Sequence, residues 1–498
     1  MVCDNRFSRP LGLILSIGGA GSDVALCAPE HGAIDAVFDY RDPRLAAKNG
    51  DTLMERSHEQ HRGHAIRGVI AATIGTTIEW YDFFIYGMVA SLVFDKLFFP
   101  KQSAYVGTML ALTTFAVGFL TRPLGAAVFG HYGDRLGRKT MLTFTLLLTG
   151  VSTFAIGVVP TYDRAGMWAA ALLVALRLLQ GFGLGGEWGG SVLVSIEWDH
   201  FDRWRGFFAS WPQFGVPAGL LLASGMISIT NHAMSSESFS AWGWRIPFLA
   251  SVVLIGVGLY VRLGLLETPA FARLRDQNQI AKMPVFEVLR ENWREVILTC
   301  LIRSAETGPF YIFTTFILTY GTRTLGLERA ALLNFVTIAS VVALFDIPLW
   351  GYVSDRIGRK RMYLIGAIAL FLFAYPYYVL LDTRTPALVA VAIIISIVIH
   401  DMMYGPQAAF IAESFPTRLR YSGASLGYQL AAIVSGGPAP MIASYLMHRY
   451  GTSSAISVYL MALGAVTIAA TIMLKERSGA EEPAIAVEVT GASTSPAS

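Results

Sequence analysis

The chain has 498 residues, 54% of them hydrophobic and 15% charged, with a mean hydropathy of +0.51 and a formal net charge of +3. Soluble domains carry about 25% charged residues, so this is a membrane composition, and so small and scattered a positive excess excludes a nucleic-acid partner. Three cysteines, Cys3, Cys27 and Cys300, have no CxxC spacing, which excludes a disulfide scaffold and a thiolate metal site.

Residues 1–60 differ from the rest. They mix charges with one apolar patch, Leu11 to Ala20, too short to cross a bilayer. Arg6 and Arg9 before that patch and Ala25-Leu26-Cys27 after it imitate a signal peptide poorly. A disordered cytoplasmic extension is the expectation, with Met54 an alternative start. From residue 66 long apolar runs follow, each near the ~20 residues that cross hydrocarbon as a helix. Twelve spans are expected, at 66–94, 105–129, 140–160, 167–196, 206–230, 245–264, 295–321, 330–352, 361–381, 387–412, 421–446 and 454–474. The charged stretch 265–294 separates them as a cytoplasmic linker with room for short surface helices. It divides an N-terminal half, 61–264, from a C-terminal half, 295–475. The Ala/Glu/Ser/Thr-rich tail 476–498 reads as disordered.

One ten-residue stretch occurs twice. Gly130-His131-Tyr132-Gly133-Asp134-Arg135-Leu136-Gly137-Arg138-Lys139 returns as Gly351-Tyr352-Val353-Ser354-Asp355-Arg356-Ile357-Gly358-Arg359-Lys360, 221 positions later (351 minus 130). Both copies lie between apolar runs and read as short, basic, turn-forming loops, with glycine permitting the reversal. Lys and Arg gather in these loops and in every second connection thereafter, which puts that side and both termini in the cytoplasm.

A charge inside a transmembrane helix costs at least ~2.5 kcal/mol and generally faces a cavity or a partner. The first span holds Glu79 and Asp82, three apart on one helix face. Two carboxylates that close do not both ionise cheaply, so one is suited to carry a proton; structural pairing with bases of other helices is the alternative. Arg122 stands about eight residues in from the basic turn of the second span and needs a carboxylate, because Arg cannot neutralise itself. The fourth span carries Arg177, Gln180 and Glu187, with Gly181, Gly185 and Gly189 at every fourth position to let another helix approach. In the seventh span Arg303 and Glu306 lie three apart, either satisfying each other or facing a cavity, with Tyr311 beyond them. Asp346 precedes Pro348 in the eighth span, and the tenth holds His400-Asp401, where His titrates near physiological pH. Glu413 and Arg418 mark the basic end of that span. Gln429 and the Gly436-Gly437-Pro438 break fall in the eleventh, where a broken helix can line a cavity.

The doubled Gly-x-x-x-Asp-Arg-x-Gly-Arg-Lys pattern resembles the loop signature of the major facilitator superfamily. Glu79-Trp80-Tyr81-Asp82-Phe83 resembles a segment of its metabolite:proton symporter branch, and Arg177, Gly181 and Gly185 match the superfamily's helix-four signature. Gly215 and Gly219 are similar to the antiporter helix-five pattern, but Leu220 replaces the expected proline, which favours symport over efflux. The resemblance implies an all-α membrane protein of twelve transmembrane helices, in two six-helix pseudo-symmetric halves that rock about a midplane site. It implies proton coupling through Glu79, Asp82, Arg177 and Glu187. Substrate contacts fall to Arg122, Gln180, Arg303, Glu306, Tyr311 and Gln429. A cytoplasmic gate is implied at Gly130, Asp134, Arg135, Gly137, Arg138, Gly351, Asp355, Arg356, Gly358, Arg359, Glu413 and Arg418. The buried arginines favour a small organic anion, imported as a monomer in the inner membrane and driven by the proton gradient, with no cofactor and no metal. A same-fold exporter or facilitator, osmolyte (proline or betaine) uptake and a non-transporting nutrient sensor are the alternatives. No nucleophile, metal set or cofactor loop suggests an enzyme.

Overall fold

The computed structural model describes residues 43–196, 204–264 and 284–475, which are helical apart from short connections. The expected disordered tail 476–498, residues 1–42 and 265–283 of the linker lie outside the described residues. Twelve long helices follow in order: α1 (Pro43–Val89), α2 (Val106–Leu136), α3 (Arg138–Val158), α4 (Met167–Ile196), α5 (Arg205–Ala233), α6 (Gly243–Leu263), α7 (Trp293–Arg323), α8 (Arg329–Ile357), α9 (Arg359–Asp382), α10 (Pro386–Glu413), α11 (Thr417–Tyr450) and α12 (Ser454–Met473). Eleven of these, α2 to α12, are long and apolar enough to cross a membrane. In α1 the polar run Glu79-Trp80-Tyr81-Asp82 dilutes the hydropathy. The chain is a multi-pass helical membrane protein.

Hydrocarbon offers no hydrogen-bond partner, so a spanning segment must satisfy its backbone internally, and helices do this. The outward faces are correspondingly apolar: Trp168, Tyr260, Phe345 and Leu372 are among the most exposed large side chains. Glycine sets how closely the helices approach inside the bundle. A Cβ on Gly181 would collide with the Gly118 carbonyl of α2, and one on Gly185 with the Arg122 carbonyl, so α4 lies backbone to backbone on α2.

Two expectations need correction. The helix α1 begins at Pro43, so residues 43–60 are helical rather than part of a structureless extension; they are rich in Ala, Leu, Glu, Lys and Arg and have no proline after Pro43. The linker, where short surface helices were expected, contributes one described helix, Pro284–Glu291. The doubled motif is not a loop: α2 continues to Leu136 and α8 to Ile357, and only one residue breaks each run. Those residues are Gly137 and Gly358, with φ of 109° and 97°, values that L side chains rarely adopt. A full reversal is therefore made by a single glycine in each half.

Irregular turns also repeat. Wide π-helical turns lie at Ala90–Phe94, ending α1, and at Ile312–Phe316, inside α7. Their starts are 222 positions apart (312 minus 90), close to the spacing of the motif. Such turns occur often at functional sites.

Candidate functional site

At the basic end of the bundle the two motif acids do the same thing in opposite halves. Asp355, near the end of α8, accepts the backbone N–H groups of Gly206 and Phe207 at 2.8 and 2.9 Å. It thereby caps the first turn of α5. Asp134, near the end of α2, accepts from Ser422 of α11, through Oγ at 2.8 Å and the backbone N–H at 3.3 Å. A carboxylate at a helix N-terminus satisfies orphan donors and complements the helix dipole. Each half thus caps a helix of the other. The leading motif glycines make room for this contact. A Cβ on Gly351 would lie 2.8 Å from the Gly206 carbonyl, and one on Gly130 3.2 Å from the Ser422 Cα.

The remaining motif residues act within their own half. Arg359 lies 3.2 Å from Asp355 and also pairs with Glu413 of α10. Arg138 is 3.9 Å from Asp134. Lys139 donates to the Leu263 carbonyl at the end of α6 at 3.0 Å, and Lys360 to Ile472 and Leu474 at the end of α12 at 2.8 and 2.7 Å. The motif lysine therefore ties the third helix of each half to its sixth. Arg135 and Arg356 point to their own helices, toward His131 and Tyr352. Arg418 does not join Glu413 but bridges to Glu287 and Glu291 of the linker helix at 2.9 and 3.2 Å. Glu413 already has Arg359, and Arg418 lies one turn beyond the helix end.

Deeper in the bundle lies a layer of buried charge. Arg122 is 14 positions from the end of α2, because the motif is helical; at ~1.5 Å per residue that is about 21 Å, deeper than the eight residues expected. Its guanidinium stacks over Phe119 at 4.3 Å and Phe83 at 4.6 Å from the ring centroids. Its Nε and Nη2 have no hydrogen-bond partner. Glu79 of α1 and Tyr311, Tyr428 and Arg303 of the C-terminal half lie within coulombic range of it. Arg177 is fully buried and donates to Gln180 Oε1, while its Nε and Nη2 are also without partners and its plane faces Tyr86 at 4.1 Å. Gln180 passes the contact on to Thr153 at 2.8 Å and to the Asp82 carbonyl at 3.3 Å. Asp82 is buried with Oδ1 unpartnered.

Glu187 belongs elsewhere. It pairs with Arg262 of α6 and accepts from Thr145 at 2.8 Å, while Arg262 also donates to the Leu142 carbonyl. Arg262 was not singled out from sequence because it sits in the last turn of its span, where an Arg ordinarily reaches the interface. A Cβ on Gly75 would strike its Nη2, so α1 leaves the space it occupies.

The C-terminal half holds a connected network. Arg303 binds Glu306 Oε2 at 3.0 Å through Nε and Nη2, donates to the Tyr428 carbonyl, and lies 3.3 Å from the Tyr428 ring centroid. Glu306 Oε2 also accepts from Thr307 at 2.6 Å and Gln407 at 3.0 Å. Gln407 in turn meets the Tyr363 hydroxyl at 3.0 Å. By the motif offset, Arg303 stands where Asp82 stands in the first half (303 minus 82 is 221). Gln407, Tyr363, Tyr404 and Tyr428 were missed, since neutral side chains in apolar runs carry no signal until their partners are known. Gln429 bridges α11 to the Leu184 and Gly185 carbonyls of α4 at 3.3 and 3.4 Å.

A cavity of about 230 Å³ lies where the halves meet, lined by Trp80, Arg303, Glu306, Tyr311, His400 and Tyr428, among others. Tyr311 reaches it from an aromatic cluster with Phe83, Phe115 and Phe119, ring centroids 5.4 to 5.9 Å away. Of the expected substrate-facing residues, Arg303, Glu306 and Tyr311 line this cavity; Gln180 and Gln429 are spent on neighbouring helices.

Residues 72–436 match the family model described as the Major Facilitator Superfamily. The chain belongs to that superfamily. The Shikimate transporter of Escherichia coli (strain K12) is 38% identical over 416 residues, 83% of this chain and 95% of the relative. The Inner membrane metabolite transport protein YhjE of the same organism is 38% identical over 413 residues, covering 82% and 93%. Its Proline/betaine transporter is 33% identical over 424 residues, covering 83% and 84%. Among solved structures, the proton:xylose symporter XylE bound to 6-bromo-6-deoxy-D-glucose aligns with a TM-score of 0.68 at 18% identity, over 83% of this chain and 95% of that one. That likeness shows the fold. The protein is a metabolite transporter of the superfamily.

Proposed function

We propose that the protein is a proton-coupled symporter that imports a small organic anion by alternating access, with its basic end and both termini facing the cytoplasm. The observation that carries the anion is Arg122. Its guanidinium is buried at the junction of the halves with two donors unpartnered, and a permanent cation in that position calls for a carboxylate. Arg303, within electrostatic range of Arg122, adds a second guanidinium in the lining of the central cavity, held in place by Glu306. The shikimate transporter's name fits a hydroxylated carboxylate of this size, and the proline/betaine relatives keep a zwitterion as the second reading.

Proton coupling rests on Glu79, Asp82 and Arg177. Asp82 is buried with a free oxygen, and its backbone carbonyl meets Gln180, which Arg177 holds. Protonation there and substrate binding at Arg122 act on the same two-state equilibrium, and that linkage is coupling. Asp134 and Asp355, capping α11 and α5, latch the bundle closed at the cytoplasmic side. The protein works as a monomer.

The test is external pH in a lightly buffered suspension of proteoliposomes as shikimate, other small organic acids, proline and betaine are added in turn. One compound should alkalinise the medium, and both Asp82→Asn and Arg122→Ala should abolish the signal. Uptake of labelled compound without proton movement would replace symport with facilitated transport.

A further inference from the structure

His400 and Asp401 take no part in the coupling described above, yet their surroundings are built. Both ring nitrogens of the buried His400 face carboxylate oxygens: Nδ1 is 2.8 Å from Asp401 Oδ1 and Nε2 is 3.4 Å from Glu306 Oε1. A neutral imidazole has one N–H and an ionised carboxylate has none. Both contacts can be hydrogen bonds only when the line Asp401–His400–Glu306 holds one proton beyond that count. Charge points the same way. With the extra proton, Arg303, Glu306, His400 and Asp401 sum to zero; without it, a net negative charge is left in a buried cluster.

The other groups around His400 do not supply that charge. Tyr404 of α10 lies with its ring centroid 5.1 Å away, and Tyr363 of α9 and Tyr428 of α11 reach Glu306 and Arg303 as neutral side chains. From α5 the uncharged Val216, Pro217 and Leu220 line the adjoining space. Asp346 of α8 is the remaining acid, within coulombic range of Asp401 and with Oδ2 unpartnered, and it makes the proton more necessary. His400 also stands between two spaces. It lines the central cavity with Arg303 and Glu306. It also lines a second cavity of about 370 Å³ beside Asp401 and the α8 residues Ala343 and Ile347, which flank Asp346.

We propose that Asp401–His400–Glu306 is a second proton-binding site of the transporter, on the C-terminal half and separate from Glu79 and Asp82, whose occupancy sets the charge the central cavity shows to its substrate. A proton arriving from the second cavity binds the imidazole. Glu306 then divides its charge between His400 and Arg303, and the cavity becomes more favourable to an anion. Release of the proton reverses this. The role in coupling rests on the symport reading; the proton site itself does not.

Two measurements separate them. The first is nitrogen NMR of the full chain in nanodiscs with labelled histidine, the His400 signal being identified by its loss in His400→Gln. At neutral pH it should show an imidazole with both nitrogens engaged by protons, and Asp401→Asn should return it to an ordinary neutral tautomer. A neutral imidazole in the wild type at mildly acidic pH would overturn the proposal; should His400→Gln fail to fold, the shift in Asp401→Asn identifies the signal instead. The second is proton-driven uptake against substrate counterflow in proteoliposomes, with shikimate and the other organic acids as probes. In His400→Gln and Asp401→Asn uptake should fall about 10-fold or more, within the usual range of coupling, while counterflow survives in Asp401→Asn, whose side chain does not line the central cavity. An engaged imidazole in a wild type that moves no protons would leave the site standing and defeat symport. Unchanged proton:substrate ratios in both variants of a working symporter would defeat the role of the site.

Discussion

Near the junction of the halves, the two sides bury charge differently. In the N-terminal half Arg122, Arg177 and Asp82 keep polar atoms without protein partners. In the C-terminal half Arg303, Glu306, His400, Asp401, Gln407 and Tyr363 are linked by successive contacts of 2.8 to 3.4 Å. Repetition of the fold did not carry repetition of the chemistry: Asp82 and Arg303 share a place in the repeat and have opposite charge. The difference teaches that an unpaired buried charge and a paired one serve different ends. The first is held ready for something that arrives, and the second is held in place for something already there.

That contrast can be broken by experiment. Glu306→Ala should be the most damaging change, since it leaves Arg303 buried without its carboxylate; removing one partner of a buried pair costs about 3–5 kcal/mol, read as a fall in unfolding temperature or folded yield in detergent. Arg122→Ala removes a charge that makes no ion pair among the described residues and leaves two donors unpartnered, so it should abolish transport and lower the unfolding temperature less than Glu306→Ala does. If both variants lost equal stability, the two halves would not differ as described. Arg262→Ala should also cost about 3–5 kcal/mol by stranding Glu187, and the double variant Arg262→Met with Glu187→Gln should recover most of it.

Smaller effects sharpen the symmetric part of the molecule. Asp134→Asn and Asp355→Asn each weaken a charge-assisted cap between halves, worth about 1.5–3 kcal/mol. Both should raise the population open at the basic end, by similar amounts, in spin-label distance measurements between α2 and α11 or between α5 and α8. Lys139→Ala and Lys360→Ala remove a cation from a helix C-terminus and should cost only about 0.3–1 kcal/mol each, detectable as small equal shifts in unfolding temperature.

How far the sequence reaches depends on the kind of signal. Twelve spans were legible because hydrocarbon thickness and helical rise fix a run length, and the doubled motif showed that the chain repeats a six-helix unit. The same motif misled about its own conformation. Glycine, aspartate and arginine together read as a turn, yet the first seven motif residues continue the helix and Gly137 or Gly358 makes the reversal alone. Arg303 and Glu306 announced a pair through their spacing, because three residues along a helix return to the same face. Arg262 could not be matched to Glu187 in this way, since their contact joins α4 to α6 and no local period records it.

By itself, then, the sequence determined the medium, the number of crossings, the repeat and most of the charges expensive enough to matter, all of which follow from local composition and period. Tertiary structure alone decided which of those charges are paired, which stand open toward the junction of the halves, and that each motif acid caps a helix of the opposite half. Those are distances between residues far apart in the chain, set by how glycine-lined helices close on one another.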